Sequence, residues 1–153
     1  MQRHLTIAIG LVLLTLAAYE PVRSAGFVNI DDGVYVTQNP AVRAGLTARG
    51  IAWAFQAGYA SNWHPLTWIS HMLDVSLWGL DPAAHHLTNL ALHATSVVLL
   101  FLLLARMTGA TGKSAFVAAV FAVHPLHVES VAWISERKDV LCALLGILSL
   151  WVW

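Results

Sequence analysis

Apolar runs alternate with polar, aromatic-rich stretches along this chain, and the alternation predicts helices throughout. The first run, residues 5–19, follows Arg3 and ends at Glu20, Pro21 and Arg23. At ~1.5 Å per residue it reaches roughly 22 Å, short of a hydrocarbon core of about 30 Å. That length fits a signal-peptide core or a short signal anchor. No convincing small-x-small cleavage site follows, so residues 1–25 are expected to form an uncleaved first transmembrane helix.

Residues 26–81 are polar and punctuated, as expected of an extracytoplasmic loop with helices lying in the interface. Asn39-Pro40 reads as the cap and first turn of a helix, with Val42, Leu46 and Trp53 on one face. From Pro65, Leu66, Ile69, Leu73 and Leu77 recur at helical spacing, while Thr67, Ser70, His71 and Asp74 line the other side. Asp81-Pro82 opens a helix running to about Met107, almost wholly aliphatic over residues 94–105, with His86, Asn89 and His93 on one face of its first half. A turn at residues 108–113 leads into a further apolar helix over residues 114–123, which His124-Pro125 interrupts. A last apolar run begins at Val140 and is cut off at Trp153, where about 20 residues are needed to span. The expected fold class is therefore all-α integral membrane, with residues 82–153 holding transmembrane helices two to four, and the chain reads as the N-terminal piece of a longer protein.

Between the last two runs, residues 124–139 concentrate two histidines with Glu129, Glu136, Arg137, Lys138 and Asp139. Each charge at a bilayer centre costs roughly 2.5–3.5 kcal/mol, so the five together cost on the order of 15 kcal/mol. The stretch must sit at the membrane surface or line a polar cavity. Placing Arg3 and the 106–113 turn in the cytoplasm agrees with the positive-inside rule. Arg23, Arg43, Arg49, Arg137 and Lys138 then lie outside against it, so either the bias is weak or those cations bind an anion.

Composition supports the membrane reading: 58% of residues are hydrophobic and 10% charged, with mean hydropathy +0.69, against about 25% charged in a soluble domain. Lys+Arg and Asp+Glu balance at 8 each, leaving no basic field for nucleic acid. Trp53, Trp63, Trp68 and Trp78 are read as interfacial anchors. The single cysteine, Cys142, excludes an intrachain disulfide.

Several constellations carry candidate chemistry. Asp31-Asp32 offers a base and a group that orients it or holds a cation, or else, with Gly33, a turn. In the 124–139 stretch, Arg137 and Lys138 suit phosphate, and Glu129, Trp133 and Arg137 share a face if the segment is helical; a solvated connecting loop is the alternative. His85, His86 and His93, joined by His64, His71, His124 and His127, are metal or haem ligands or make interhelical hydrogen bonds. Gly109-Ala110-Thr111-Gly112-Lys113-Ser114 is not a phosphate loop, because the glycine required five positions before Gly112 is Met107.

Three blocks taken together resemble a known family. They are Asn29-Ile30-Asp31-Asp32 with Asn39-Pro40; the run from Asn62-Trp63-His64-Pro65 to His71-Met72-Leu73-Asp74 with His85-His86-Leu87-Thr88-Asn89-Leu90; and residues 124–139. In order and content they are similar to the membrane region of the transmembrane-and-tetratricopeptide-repeat O-mannosyltransferases and their bacterial relatives, GT-C class glycosyltransferases. The resemblance implies the N-terminal part of a multi-helix bundle that moves a sugar, mannose by family likeness, from a polyprenyl-phosphate carrier to a protein hydroxyl on the non-cytoplasmic side. It implies a multi-pass protein of a bacterial inner membrane or the endoplasmic reticulum. By the match, Asp31 is the base with Asp32 as its partner, and Arg137 and Lys138 hold the departing phosphate. His64, His71, His86, His124, His127, Glu129 and Asp139 then shape the pocket, with Mg or Mn left open as a cofactor. Family members continue through more membrane helices and helical repeats, so residues 1–153 alone are expected to be inactive. Readings from other classes are a His-rich metal- or haem-binding membrane subunit and a non-catalytic membrane scaffold.

Overall fold

A computed structural model describes residues 2–153, and among them every regular element is helical. Helix α1, Gln2–Ala18, runs into a tight turn at Glu20–Ser24. The following segment carries a wide helical turn at Gly33–Thr37 and then α2, Pro40–Arg43, and α3, Ala48–Gln56. After them come α4, Pro65–Trp78; α5, Pro82–Thr108; α6, Thr111–Val123; α7, Val128–Ala132; and α8, Arg137–Val152.

Local chemistry sets most of these boundaries. Asn39 Oδ1 accepts from the Ala41 and Val42 amides at 3.0 and 3.3 Å, and Asp81 Oδ1 accepts from Ala83 at 3.0 Å, each just before a proline in the first turn. Gly109 closes α5 at φ +68°, a left-handed conformation that costs glycine nothing. Helix α6 begins at Thr111, so the connection is shorter than the expected 108–113 turn.

The single helix expected from Asn39 is divided in two. Gly45 turns at φ +73°, a Cβ there would lie 2.6 Å from Ser76 Oγ, and that hydroxyl accepts the Leu46 amide at 2.6 Å. Val42 is consequently buried, while Leu46 faces out.

Helix α5 is the spine, in contact with α1, α6 and α8. Its lower half packs Val97, Phe101 and Ala105 against Leu11 of α1 and against Ala118 and Ala122 of α6, small residues that let two helices approach closely. At 27 residues, α5 is long and apolar enough to cross a bilayer. Helix α6 and the Pro125–Ala132 stretch have that length together but bend by 50°, and α1 is apolar over 17 residues.

The upper half is a separate cluster, in which Tyr35, Val36, Val42, Ala54, Trp68, Met72 and Ile134 are buried together. Trp68 therefore serves as core rather than as an interfacial anchor: its ring stacks 4.9 Å from Tyr35 and 5.6 Å from Trp53. Trp63 and Trp78, at the two ends of α4, are exposed.

Helix α4 is inverted in part: beside Trp68 and Met72, which join the core, it buries polar side chains and leaves leucines outside. Thr67, His71 and Asp74 are buried, while Leu66, Leu73 and Leu77 are 50%, 43% and 60% exposed. Its polar face meets the equally polar first half of α5, where His85, His86, Asn89 and His93 are all buried.

Candidate functional site

The polar faces of α4 and α5 enclose Arg137. Its guanidinium is completely buried and donates through Nε to Asn89 Oδ1 at 2.7 Å, through Nη2 to the His85 carbonyl at 2.7 Å, and through Nη1 to Ser70 Oγ at 3.1 Å and to Asp74 Oδ2. A planar fork with five donors is suited to so many partners at once, and a lysine ammonium is not. Burial alone raises the Asp74 pKa, but hydrogen bonds from His85 and Arg137 and the Arg137 charge reverse this, holding it below its ordinary value. The expected phosphate ligand Arg137 is thus turned inward. It joins α4, α5 and the start of α8, with its donors engaged inside the protein.

Lys138, the next residue, points elsewhere. Its Nζ donates to Glu136 Oε1 at 2.6 Å and lies 5.9 Å from the centre of the Tyr35 ring. Asn62 Nδ2 donates to the Tyr35 hydroxyl at 3.1 Å, and His64 stacks 5.5 Å from Tyr35 and 4.6 Å from Trp68. Tyr35 titrates above its ordinary value, first because it is buried; Lys138 pulls the other way, and Asp31 and Glu136 add to the rise. Burial and then the Lys138 charge lower the His64 pKa. Lys138 and its partner Glu136 thus stand at the Tyr35 ring, and Asp31 lies one helical turn before Tyr35, its carbonyl accepting the Tyr35 amide at 2.8 Å, so the three form one aromatic corner with Tyr35.

The two adjacent carboxylates differ sharply. Asp31 is half-exposed beside this corner. Asp32 is fully buried, its Oδ2 accepting the Val28 amide at 2.7 Å and its Oδ1 the Ser135 amide at 3.0 Å. The second bond ties the first polar loop to the short turn Ile134–Glu136. The turn that sequence allowed at this motif lies over residues 29–31, and the Asp32-Gly33 step leads on into the wide helical turn.

The remaining predicted residues lie in other surroundings. His86 Nε2 is 3.4 Å from the Gly26 carbonyl, and His93 Nε2 is 3.1 Å from the Ala122 carbonyl, so both tie elements together. His124 Nδ1 accepts the Leu126 amide at 3.3 Å, capping the turn after the proline. His127 stacks on Phe121, with ring centres 4.5 Å apart. Asp139 Oδ2 accepts from Ser130 Oγ at 3.0 Å, in a cleft of about 230 Å³ shared with His93 and His127. Glu129 is exposed beside Val28, Ile30 and Trp133. It shares no helical face with Trp133 and Arg137, because α7 ends at Ala132 and Trp133 is extended.

Two places gather groups that could ligate a cation. Asp31 and Asp32 cannot chelate together, since both Asp32 oxygens are held by amides. His71, Asp74 and His85 bring ligand atoms within 4.8 Å of one another, with His71 Nδ1 3.4 Å from His85 Nδ1 and that atom 3.3 Å from Asp74 Oδ2. Two nitrogens and one oxygen are a poor set for Mg or Mn, which favour oxygen shells. The Arg137 guanidinium already sits on Asp74 Oδ2 as its counter-charge. Neither place fits the divalent ion that sequence left open.

Tyr35 had no role on sequence, and Glu136 and Ser135 counted only as members of the 124–139 block. Asn62, Ser70, Asp74 and Asn89 stand inside the blocks that carry the family resemblance, a signal that marked them without giving their roles.

No family model matches the chain, and no solved structure matches it. Among curated proteins, it is 35% identical over 131 residues to the protein O-mannosyl-transferase TMTC1 of Mus musculus, covering 78% of this chain and 14% of that protein. It is 30% identical over 149 residues to Tmtc1 of Drosophila melanogaster, covering 92% and 17%. To TMTC2 of Homo sapiens it is 38% identical over 95 residues, covering 61% and 11%. The chain spans less than a fifth of the length of these relatives. By residues and by these matches, it belongs to the transmembrane-and-tetratricopeptide-repeat O-mannosyltransferase family.

Proposed function

We propose that this chain supplies the Asp31–Lys138 corner of a membrane glycosyltransferase that moves a sugar, mannose by relation, from a polyprenyl-phosphate carrier to a protein hydroxyl on the non-cytoplasmic side. The supporting relatives are protein O-mannosyl-transferases by name, which does not favour the metal-binding or scaffold readings. The carrying observation is that Asp31, half-exposed and one helical turn before Tyr35 with its carbonyl accepting the Tyr35 amide at 2.8 Å, stands near the Lys138 ammonium, which arrives from a distant segment and lies 5.9 Å from the Tyr35 ring. In this reading α1, α5, α6 and α8 are spans of a multi-pass GT-C bundle in a bacterial inner membrane or the endoplasmic reticulum. The inverted α4 lies at the membrane surface with Leu66, Leu73 and Leu77 toward lipid.

The chemistry is a single displacement. The acceptor oxygen forms its bond to the sugar C1 as the bond from C1 to the phosphate oxygen breaks, and the hydroxyl proton passes to Asp31. The electron pair of the broken bond leaves with the lipid phosphate, whose charge Lys138 meets. Arg137 takes no part in that contact; it holds the start of α8 so that Lys138 projects to the corner. His64, at the same corner, bounds the pocket, whereas His71 and His86 support it from the interior.

The test is transfer from a labelled polyprenyl-phosphate mannose in membranes carrying the full-length protein, wild type against Asp31→Asn at equal expression. Loss of a general base costs about 10²–10⁴-fold. Equal transfer from both proteins, or transfer from neither across a panel of donor sugars, would overturn the assignment.

A further inference from the structure

The Asp31-Asp32 pair looks symmetric in sequence and is not symmetric in space. Asp32 is 0% exposed, and its two oxygens accept amides from two separate segments, Val28 of its own loop at 2.7 Å and Ser135 of the turn before α8 at 3.0 Å. No cation pairs with it among the described residues, so two backbone donors carry its charge. Hydrogen bonds to an ionised acceptor are roughly twice as strong as neutral ones. The Ser135 hydroxyl has no partner of its own, so the contact depends on that residue's backbone and not on its side chain.

What the contact registers is specific. Ser135 is the middle residue of the turn Ile134–Glu136; Ile134 is buried against the aromatic cluster, and Glu136 holds the Lys138 ammonium. Asp31 is thus one peptide away from the bond on one side, and Lys138 three residues away on the other. We infer that Asp32 is a positioning residue, a carboxylate staple between the two polar segments that sets the spacing of Asp31 and Lys138, and that Asp31 alone exchanges a proton with substrate. This rests on the transferase reading for its consequence in rate, though not for the staple itself.

The experiment uses the full-length protein in membranes with labelled polyprenyl-phosphate mannose, and compares Asp31→Asn, Asp32→Asn, Ser135→Ala and Ser135→Pro. A misplacement of about 1 Å costs on the order of 10²-fold. Asp32→Asn should therefore lower kcat by about ten- to a hundredfold, keeping the acidic limb of the wild-type pH profile because the base is still present. Ser135→Pro, which removes the amide donor and also fixes φ at that position, should lose at least as much, and Asp32→Asn added to it should cost nothing further. Ser135→Ala should match the wild type. An Asp32→Asn variant that is fully active, or as inactive as Asp31→Asn with the acidic limb gone, would overturn the inference. Amide hydrogen exchange in the purified protein tests the staple without activity: exchange at Val28 and Ser135 should rise in Asp32→Asn. Unchanged exchange there overturns the staple, whereas raised exchange with an active Asp31→Asn leaves the staple standing and overturns Asp31 as the base.

Discussion

Arg137 at the start of α8 donates to Asp74 on α4, and both side chains are buried. Each neutralises the other where neither could remain charged alone. Asn89, Ser70 and the His85 carbonyl complete the guanidinium's contacts.

Breaking this pair from one side leaves an uncompensated buried charge, which typically costs about 3–5 kcal/mol. Arg137→Ala and Asp74→Ala should each lower the thermal midpoint of the purified protein markedly. The double variant Arg137→Met with Asp74→Leu should recover much of the loss. Arg137→Lys should behave like a disruptive change, since one ammonium cannot reach Asn89, Asp74 and the His85 carbonyl together. A Lys variant with the wild-type midpoint would contradict the latch.

Lys138 should matter for the donor and not for the fold. It is partly exposed, and its ion pair with Glu136 is local. A hydrogen bond to a charged group contributes about 1.5–3 kcal/mol, so Lys138→Gln should raise the donor KM by roughly ten- to a hundredfold. Its thermal midpoint should stay near the wild-type value. An unchanged KM would remove Lys138 from the phosphate site.

Stability should fall on mild acidification, through His71. Its pKa lies well below the ordinary 6.5, first because it is buried and then because Arg137, His85 and His64 repel a proton. The unfolded chain therefore binds that proton more readily than the folded one. The contribution of His71 is fully present above about pH 6.5 and is lost as pH drops from there toward the folded value. Thermal midpoints measured between pH 5 and 8 should slope downward below 6.5 in the wild type and less steeply in His71→Gln. Parallel slopes would show that His71 is not the group responsible. The depressed carboxyl of Asp74 adds a second loss at lower pH, as acid approaches its folded pKa from above.

Transfer should survive chelation. Both Asp32 oxygens are engaged by amides, and Asp74 already carries the Arg137 charge, so neither acidic group offers a hard-cation shell. EDTA should leave the rate in full-length membranes unchanged. A loss restored by Mn²⁺ would require a cation site built with residues from elsewhere in the protein.

Much of the local structure was legible along the chain. Asp81-Pro82 and Asn39-Pro40 start helices because a short acceptor side chain and a fixed proline φ act within one turn, whatever surrounds them. The aliphatic stretch from Ala94 made α5 a long apolar helix by composition alone. The Gly45 break depends on Ser76, which lies 31 residues away and captures the next amide.

The candidate site divided along the same line. Sequence by itself determined that charged and histidine-rich stretches had to gather away from lipid, since the cost of placing them in hydrocarbon is a property of the residues. It also carried, in its three blocks, the family to which the chain belongs. Only the tertiary structure decided that Asp31 stays half-exposed while Asp32 is buried, and that Arg137 turns inward while Lys138 turns toward Tyr35. The reason is physical. Neighbours in sequence have the same chemistry available to them, and which one is buried is settled by donors such as the Ser135 amide and acceptors such as Asp74. Those partners arrive from distant segments only when the chain has folded.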